Sequence, residues 1–197
     1  MPRVSEATKA EHRQRLLVAA ADAFAEKGLH GARIDDISLA AGLAKGTVYN
    51  YFDSKEHLFR EVIAAWSARI AEARSPVDDD APIRDQLLAV VEADMAVMAD
   101  LEDFARAAFR EVLIAPDADR SDLVPSADPL DDVLMMVIGR AQTRGELRCD
   151  RTADELVQLF AAVVNGLLME RWLPGSMLAL DDIARLAVDQ YLYGAGN

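Results

Sequence analysis

One stretch, Asp35 to Leu58, constrains the fold of this chain more than any other. It reads DDISLAAGLAKGTVYNYFDSKEHL. A short segment with apolar residues at helical spacing precedes a glycine turn, and a second short segment rich in Thr, Tyr and Asn follows it. A longer helical segment with a serine cap then begins. The pattern predicts two short helices that cross over a glycine turn, which is a helix-turn-helix unit.

Helical spacing of apolar residues continues along almost the whole chain, and strand patterns are nearly absent. The first predicted helix ends at Lys27-Gly28, where glycine suits a left-handed cap. Asp35 is expected to cap the second helix, and Asp53 or Ser54 the fourth. The first helix carries one apolar face: Leu16, Leu17, Ala20 and Phe24.

The remaining helices are separated by glycine and proline clusters. The third helix is predicted at residues 45–52, and the fourth ends near Arg74. Five more are expected near residues 82–100, 102–115, 128–144, 152–173 and 179–194, with a long loop at 116–129. The chain is therefore predicted to be all-α, with about nine helices.

A polar segment flanked by prolines, SPVDDDAP at residues 75–82, marks the predicted domain boundary. Residues 1–53 are expected to form an N-terminal three-helix helix-turn-helix domain, with its closing helix running to about residue 74. Residues 75–197 are expected to form a C-terminal helical bundle.

The predicted third helix has two distinct faces. At about 100° per residue, Val48 and Phe52 fall together on the inner face. The opposite face carries small and hydrogen-bonding residues: Gly46, Thr47 and Asn50, with Tyr49 and Tyr51 at its flanks. Asn can bond an adenine edge, a Thr methyl can meet a thymine methyl, and Tyr hydroxyls reach phosphates. This face, with Lys45 and Lys55 as phosphate contacts, predicts an interface with double-stranded DNA.

The distribution of charge limits where a polyanion can bind. Residues 1–75 carry 11 Lys and Arg against 10 Asp and Glu, whereas residues 76–197 carry 10 Arg, no Lys and 24 Asp and Glu. DNA would be repelled by the acidic part, so any contact must come from the N-terminal part. The alternative is that short helix-glycine-helix units also occur in ordinary helical bundles, where aromatic residues mark the core.

Several classes of protein are disfavoured by the composition. The single cysteine, Cys149, does not allow an intramolecular disulfide framework, and no signal peptide begins the chain. The most apolar stretch, residues 156–169, is shorter than the roughly 20 residues of a membrane span. We expect a soluble, cytoplasmic protein without a membrane partner.

Catalysis has little support in the sequence. The three histidines, His12, His30 and His57, lack the spacing of metal ligands, and Cys149 has no activating neighbour in sequence. No phosphate-binding glycine loop and no nucleophile motif occurs. We expect no enzyme, no metal and no cofactor.

The helix-turn-helix stretch resembles a known family. AGLAKGTVYNYF at residues 41–52, SKEHL at 54–58, FAEKG at 24–28 and Asp36-Ile37 resemble the N-terminal signature of the TetR family of bacterial transcriptional regulators. The resemblance is close over roughly residues 10–60. Two departures stand out, because the family commonly has Ser or Thr where Ala44 stands and Thr where Arg33 stands. Arg33 can supply a charged phosphate contact in place of a hydroxyl.

The resemblance implies a dimer formed by the two C-terminal helices and their copies, and Gly166 would allow these helices to approach closely. Its expected interface is apolar: Phe160, Val163, Val164, Leu167, Ile183, Leu186 and Tyr191. The alternative is that the helix at 152–173 is the central helix of the core, because it is apolar nearly all round. A two-fold dimer would require a near-palindromic DNA operator.

The resemblance also implies a pocket for a small-molecule effector in the C-terminal body. Large apolar side chains with a few polar groups are typical of such pockets. The candidate lining is Trp66, Met95, Met98, Phe104, Arg106, Phe109, Arg110, Met136 and Asn165. Each of these residues, taken singly, is also an ordinary core residue.

The resulting hypothesis is a homodimeric, TetR-like repressor that a small, largely apolar ligand releases from its operator. The alternative is a small-molecule or protein-binding helical module with weak or lost DNA binding. The sequence does not specify the effector, the direction of its effect, the operator or the regulated genes.

Overall fold

A computed structural model describes residues 5–74, 78–114 and 129–195. Within these ranges the chain forms eight α-helices: α1 (Glu6–Gly31), α2 (Ile34–Ala40), α3 (Lys55–Ala73), α4 (Ile83–Ala99), α5 (Glu102–Phe109), α6 (Pro129–Thr143), α7 (Ala153–Arg171) and α8 (Leu180–Ala195). A 3₁₀ helix at Thr47–Asn50 and a π turn at Arg110–Ile114 complete the regular elements of this described part. The all-α prediction is confirmed. Most of the predicted long loop at 116–129 lies outside the described residues.

The helices belong to two compact units. The first contains the described residues of 1–66 and 101–126, and the second those of 67–100 and 127–197. α3 therefore contributes its first twelve residues to one unit and its remainder to the other. In addition, α5 belongs to the same unit as α1. The predicted functional boundary at residues 74 and 75 remains a prediction, and it does not coincide with these structural units.

The first unit is built on α1, which packs against α2 and α5. The predicted face of α1 is buried, because Leu16, Ala20 and Phe24 are fully enclosed. The Phe24 and Phe59 rings meet edge to face at 5.1 Å, and the Phe104 ring lies 6.0 Å from Phe59. This aromatic cluster joins α1, α3 and α5 into one core.

The carboxyl end of α1 is kinked at Gly28, whose φ of 68° is the left-handed conformation that glycine adopts without strain. The positive φ expected of this glycine is confirmed, but its ψ of 174° is not that of a left-handed helix cap, and helical residues continue to Gly31. At the kink, the Leu29 N–H donates to Glu111 in the π turn, at 3.3 Å. Ser5 caps the amino end of α1 by accepting from the Thr8 N–H.

Two predicted details of the helix-turn-helix are wrong. The second helix starts at Ile34 with Arg33 in the N-cap position, and Asp35 lies in its first turn without capping it. The third helix is one 3₁₀ turn at Thr47–Asn50 and not an α-helix over residues 45–52, because Gly46 has a left-handed φ of 75°. A residue in that conformation cannot belong to a right-handed helix, so the helix begins after it.

The second unit packs α4 against α6 and α8, and α7 against α6 and α8. Its core is apolar and fully enclosed: Leu87, Val90, Leu134, Ile138, Leu156, Phe160, Ile183, Val188 and Tyr191. The Phe160 and Tyr191 rings meet at 4.9 Å and join α7 to α8. A capping box between Thr152 and Glu155 begins α7. No helix in the described part is long and apolar enough to cross a membrane.

Candidate nucleic-acid interface

The 3₁₀ helix at Thr47–Asn50, with Tyr51 after it, is called here the recognition segment. It is attached to the first unit by two apolar side chains, because Val48 and Phe52 are almost completely buried. They are the pair that the helical projection placed on the inner face. Tyr51 closes the 3₁₀ turn by donating its N–H to the Val48 carbonyl at 2.9 Å. Apolar anchoring on one side leaves the other side of the segment for solvent or a ligand.

Two left-handed glycines set the direction of the recognition segment. Gly42, with φ of 69°, ends α2, and Gly46 redirects the chain before Thr47. The Arg15 guanidinium of α1 donates to the Ala41 carbonyl and so fixes the carboxyl end of α2. A Cβ at position 46 would meet nothing within 4 Å. Glycine is therefore required there by backbone conformation and not by a close approach within the chain.

Ser38, which the sequence did not single out, supports the start of the recognition segment. Its side chain is completely buried, and its hydroxyl accepts from the Val48 N–H at 3.4 Å. The Ser38 carbonyl also accepts from the Leu43 N–H at 2.9 Å. Ala44, just before the segment, has no side-chain oxygen that could accept from a backbone N–H there. The Ser38 hydroxyl of α2 accepts from one such N–H instead.

The predicted reading residues lie mainly at the surface. Tyr49 is 60% exposed, Asn50 is exposed, and Thr47 is half-buried at the first position of the 3₁₀ helix. Lys45 is exposed just before the segment, and Arg33 is exposed at the start of α2. Whether these side chains touch DNA remains a prediction, and their exposure makes them accessible to it.

Lys55 has an additional structural role that the sequence did not predict. Its ammonium donates to the His30 carbonyl at 3.1 Å and to the Ala32 carbonyl at 3.3 Å. An ammonium has three N–H donors, so one remains for a phosphate. Lys55 therefore holds the end of α1 against the start of α3. Its substitution would disturb folding as well as any DNA contact.

The start of α3 is capped as predicted by Ser54, which accepts from the His57 N–H at 3.0 Å. His57 in turn accepts from the Asp53 N–H through Nδ1 at 3.1 Å. The imidazole thus resembles the second side chain of a capping box, but it accepts from the residue before the cap and not from the cap's own N–H. The sequence shows a hydrogen-bonding side chain three residues after Ser54, but only Glu or Gln was expected to accept a hydrogen bond from that position.

Tyr51 and Phe52 are held from α1. The Tyr51 hydroxyl lies 3.1 Å from Nδ1 of His12, and the two rings meet edge to face. Arg13 lies over the Phe52 ring, 5.5 Å from its centroid, and pairs with Glu61. His12 was not among the predicted site residues, because 39 residues separate it from Tyr51 in the chain.

The predicted pocket residues divide between the two units. Five lie in the first unit: Trp66, Phe104, Arg106, Phe109 and Arg110. Four lie in the second unit: Met95, Met98, Met136 and Asn165. The Trp66 and Phe104 rings meet edge to face, with their centroids 6.3 Å apart. Met95 and Met98 are buried.

Two of these nine residues do not fit an enclosed pocket within this chain. Met136 is 57% exposed, and Arg106 is exposed and paired with Asp103 at 2.7 Å. Both side chains project from their helices into solvent. The pocket itself remains a prediction.

The predicted dimer residues also differ in burial. Phe160, Ile183 and Tyr191 are enclosed in the core of the second unit, so their assignment to a surface between two copies is wrong. The alternative from the sequence, that the helix at 152–173 belongs to the core, applies to Phe160, and Ile183 and Tyr191 of α8 are core residues as well. Val163, Val164 and Leu167 are half-buried, and Leu186 is 39% exposed. These four remain a predicted interface.

No group of three or more metal-ligating side chains occurs in the part of the chain that the structure describes.

The helix-turn-helix and the chain as a whole are similar to known proteins. The family model described as bacterial regulatory proteins, tetR family, matches residues 16–62. The repressor BepR of Brucella suis is 29% identical over 187 residues, which is 88% of this chain and 86% of BepR.

Two solved structures share the fold over nearly the whole chain. A TetR-family regulator from Rhodococcus sp. has a TM-score of 0.74 at 21% identity, covering 95% of this chain and 100% of the other. FadR from Bacillus subtilis, solved with stearoyl-CoA, has a TM-score of 0.73 at 18% identity and covers 92% and 98%. The match of the family model and the matches along the rest of the chain lead to one conclusion: residues 16–62 form a helix-turn-helix of the TetR type, and the chain as a whole is similar to transcriptional regulators of that family.

Proposed function

We propose that this regulator is a homodimeric repressor that binds a palindromic operator in the cytoplasm and is released by a small, largely apolar ligand. The observation that carries the proposal is the recognition segment, in which Val48 and Phe52 are buried while Tyr49 and Asn50 face solvent. Polar, hydrogen-bonding side chains on a rigid apolar support can read base edges in the major groove.

The dimer is supported by apolar residues on the surface of the second unit. On α7, Leu159 is 49% exposed and Val163 and Leu167 are half-buried, while Leu186 is exposed on α8. Two long helices with exposed apolar residues bury them favourably when they pair with their copies. A two-fold dimer would present two recognition segments to half-sites about one helical turn, or 34–36 Å, apart.

The dimer is tested with Leu186→Glu, and Met177→Glu is its control. Met177 is 98% exposed and precedes α8. The first variant should run as a monomer in sedimentation velocity, because it places a charge in an apolar interface, whereas the second should remain a dimer. If the Leu186→Glu variant remains a dimer, this face of α7 and α8 is not the dimer interface.

Operator binding is tested by mobility shift with the DNA just upstream of the chain's own gene. A folded dimer should bind this duplex more tightly than a random duplex of the same length. Equal binding to both duplexes at low salt, or none to either, would contradict the repressor function and favour a ligand-binding module without specific DNA binding.

Two variants separate base contacts from phosphate contacts. Asn50→Ala should weaken binding to the upstream duplex and leave binding to the random duplex unaffected. The difference in binding free energy between the two duplexes should fall by about 1–3 kcal/mol. Lys45→Ala should weaken binding to both duplexes alike and reduce the salt slope by about one. Lys45 is preferred to Lys55 here because Lys55 also holds two backbone carbonyls of α1.

The effector is sought by thermal shift, because a ligand that binds only the folded state must stabilise it. Stearoyl-CoA, with which FadR was solved, is one probe because of its long apolar acyl chain, and small apolar compounds are tested beside it. A compound that raises the melting temperature should also dissociate the complex with the upstream duplex. Stabilisation without any change in DNA binding would contradict its role as an effector.

A further inference from the structure

His12 lies where α1 meets the end of the recognition segment. Its Nδ1 is 3.1 Å from the Tyr51 hydroxyl, and the two rings meet edge to face with centroids 6.4 Å apart and an interplanar angle of 74°. Both side chains are half-buried. A hydrogen bond combined with a ring contact restricts the Tyr51 side chain to one position.

The neighbouring residues hold the backbone on which this contact is built. Phe52, next to Tyr51, is buried, and Arg13, next to His12, covers its ring. Phe52 also meets the His57 ring edge to face at 5.9 Å. The backbone of residue 51 is therefore held by its neighbours, and the contact with His12 is made by the Tyr51 side chain.

The chemistry of the two groups determines what this contact can do for DNA binding. A tyrosine hydroxyl has one donor and also accepts, whereas a phosphate oxygen only accepts. If the hydroxyl donates to Nδ1, no donor remains for a phosphate. If the imidazole donates its Nδ1–H to the hydroxyl oxygen, the hydroxyl hydrogen is available for a phosphate.

We propose that His12 is a positioning residue of the DNA interface, which donates from Nδ1 to the Tyr51 oxygen and directs the Tyr51 hydroxyl hydrogen to a phosphate. This inference rests on the proposed DNA binding. It assigns to α1 a role in that binding that the recognition segment alone does not reveal. His12 itself need not touch DNA.

A double-mutant cycle tests the proposal, with dissociation constants measured on the upstream duplex and on a random duplex of the same length. Tyr51→Phe and His12→Phe should each weaken binding to both duplexes by about 3–10-fold, the effect of one hydrogen bond. The double variant should bind about as weakly as either single variant, because both changes remove the same phosphate contact.

Tyr49→Phe is the control background for His12→Phe. Tyr49 lies in the same segment as Tyr51, but Tyr51 is the tyrosine that His12 contacts. His12→Phe should keep its full effect there and lose it in the Tyr51→Phe background. Equal effects in both backgrounds would mean that His12 only supports the fold, and would overturn the proposal.

His12→Asn is the conservative variant, since its amide N–H can stand near the position of Nδ1. It should bind within about two-fold of the wild type, and a loss as large as that of His12→Phe would overturn the proposal. If His12→Phe does not fold, His12→Ala takes its place in the cycle.

The outcomes separate this inference from the proposed function. If the wild-type dimer binds neither duplex at low salt, DNA binding fails and the inference fails with it. If the wild type binds but His12 and Tyr51 act independently, only the role of His12 is overturned.

Discussion

The two compact units differ in how they bury polar groups. In the first unit, the enclosed hydroxyl of Ser38 meets a backbone N–H, and Glu111 accepts from Leu29. In the second unit, Arg74 and Asp94 form an ion pair with side chains only 7% and 11% exposed. Among the described residues, four buried side-chain atoms lack a hydrogen-bond partner, and three belong to the second unit: Nη1 of Arg74, Oε1 of Gln86 and the Tyr191 hydroxyl.

This difference explains why the first unit is easier to interpret from sequence. The polar residues of its helix-turn-helix lie mainly on the surface of an apolar core, so their type and spacing indicate an interface directly. In the second unit polar groups lie inside, where each one is opposed by a desolvation penalty. Single substitutions should therefore have their largest effects on stability, in either direction, in the second unit.

The largest expected effect is from Asp94→Ala. It leaves the buried Arg74 guanidinium without the carboxylate that binds its Nε and Nη2 at 2.8 and 3.0 Å. We expect a loss of about 3–5 kcal/mol in the free energy of unfolding. Urea unfolding in a Trp66→Phe background measures this, because Trp172 then reports on the second unit alone.

Asp100→Ala is the matched control for Asp94→Ala. Asp100 pairs with Arg69 at 2.9 Å, but both side chains are about half exposed or more. Its removal should change stability by no more than about 1 kcal/mol. Similar losses for both variants would show that burial does not distinguish these two ion pairs.

Gly46→Ala tests the first unit. Its left-handed φ of 75° should make alanine destabilising by about 1–2 kcal/mol, although a Cβ meets nothing nearby. Gly139→Ala, within α6 and equally open, should instead stabilise by about 0.5–1 kcal/mol. Thermal unfolding of both variants checks the sign, and a stabilising Gly46→Ala would contradict the backbone described here.

Tyr191→Phe tests an unpartnered buried hydroxyl. Burial raises the pKa of Tyr191 to about 12, and the hydroxyl has no hydrogen-bond partner among the described residues. Removing it while keeping the ring contact with Phe160 should stabilise the protein by about 1 kcal/mol. Tyr193→Phe, at a side chain 94% exposed, should have no effect on urea unfolding.

The same tyrosine predicts a change at alkaline pH. Its folded pKa lies above the unfolded value of 10.0, so the unfolded state loses the proton first. The stability of the protein is therefore unaffected by this ionisation below pH 10 and falls as pH rises toward 12. Tyr191→Phe should therefore lose less stability than the wild type between pH 10 and 12, and equal losses would contradict this.

The smallest expected effect is from Glu155→Gln at the start of α7. The N–H of Thr152 donates to this carboxylate at 2.8 Å and lowers its pKa. The stabilisation from this hydrogen bond is present above pH 4.5, the ordinary pKa of the carboxyl group. It is lost as pH falls through the lowered pKa of the folded state. The variant should show a slightly shallower loss of stability with acid. Thr152→Ala keeps the N–H, which is the larger cause of the lowered pKa, and removes the longer hydrogen bond from the hydroxyl at 3.4 Å, so it should retain most of the wild-type acid slope.

The sequence predicted most helices because their apolar spacing is a local property. The buried face of Leu16, Ala20 and Phe24, the Ser54 cap and the left-handed Gly28 all depend on residues within a few positions. The third helix was predicted at the right place but with the wrong geometry. Apolar periodicity does not distinguish a 3₁₀ turn from an α-helix over so few residues.

Contacts between distant residues were not predictable in the same way. The bonds from Lys55 to the end of α1 and from His12 to Tyr51 join residues 23–39 positions apart. Phe160, Ile183 and Tyr191 were assigned to a dimer interface, because an apolar stripe looks the same whether it faces its own chain or a copy. Their enclosure within the second unit decided between the two.

The sequence by itself determined the helical class, the helix-turn-helix and its similarity to one family, since these follow from short-range spacing and from a motif contained in about fifty residues. Only the tertiary structure decided which polar groups are buried, which apolar residues remain exposed, and that α1 reaches the recognition segment through His12. Burial and long-range hydrogen bonds depend on which helices meet, and the pairing of helices is a property of the whole chain.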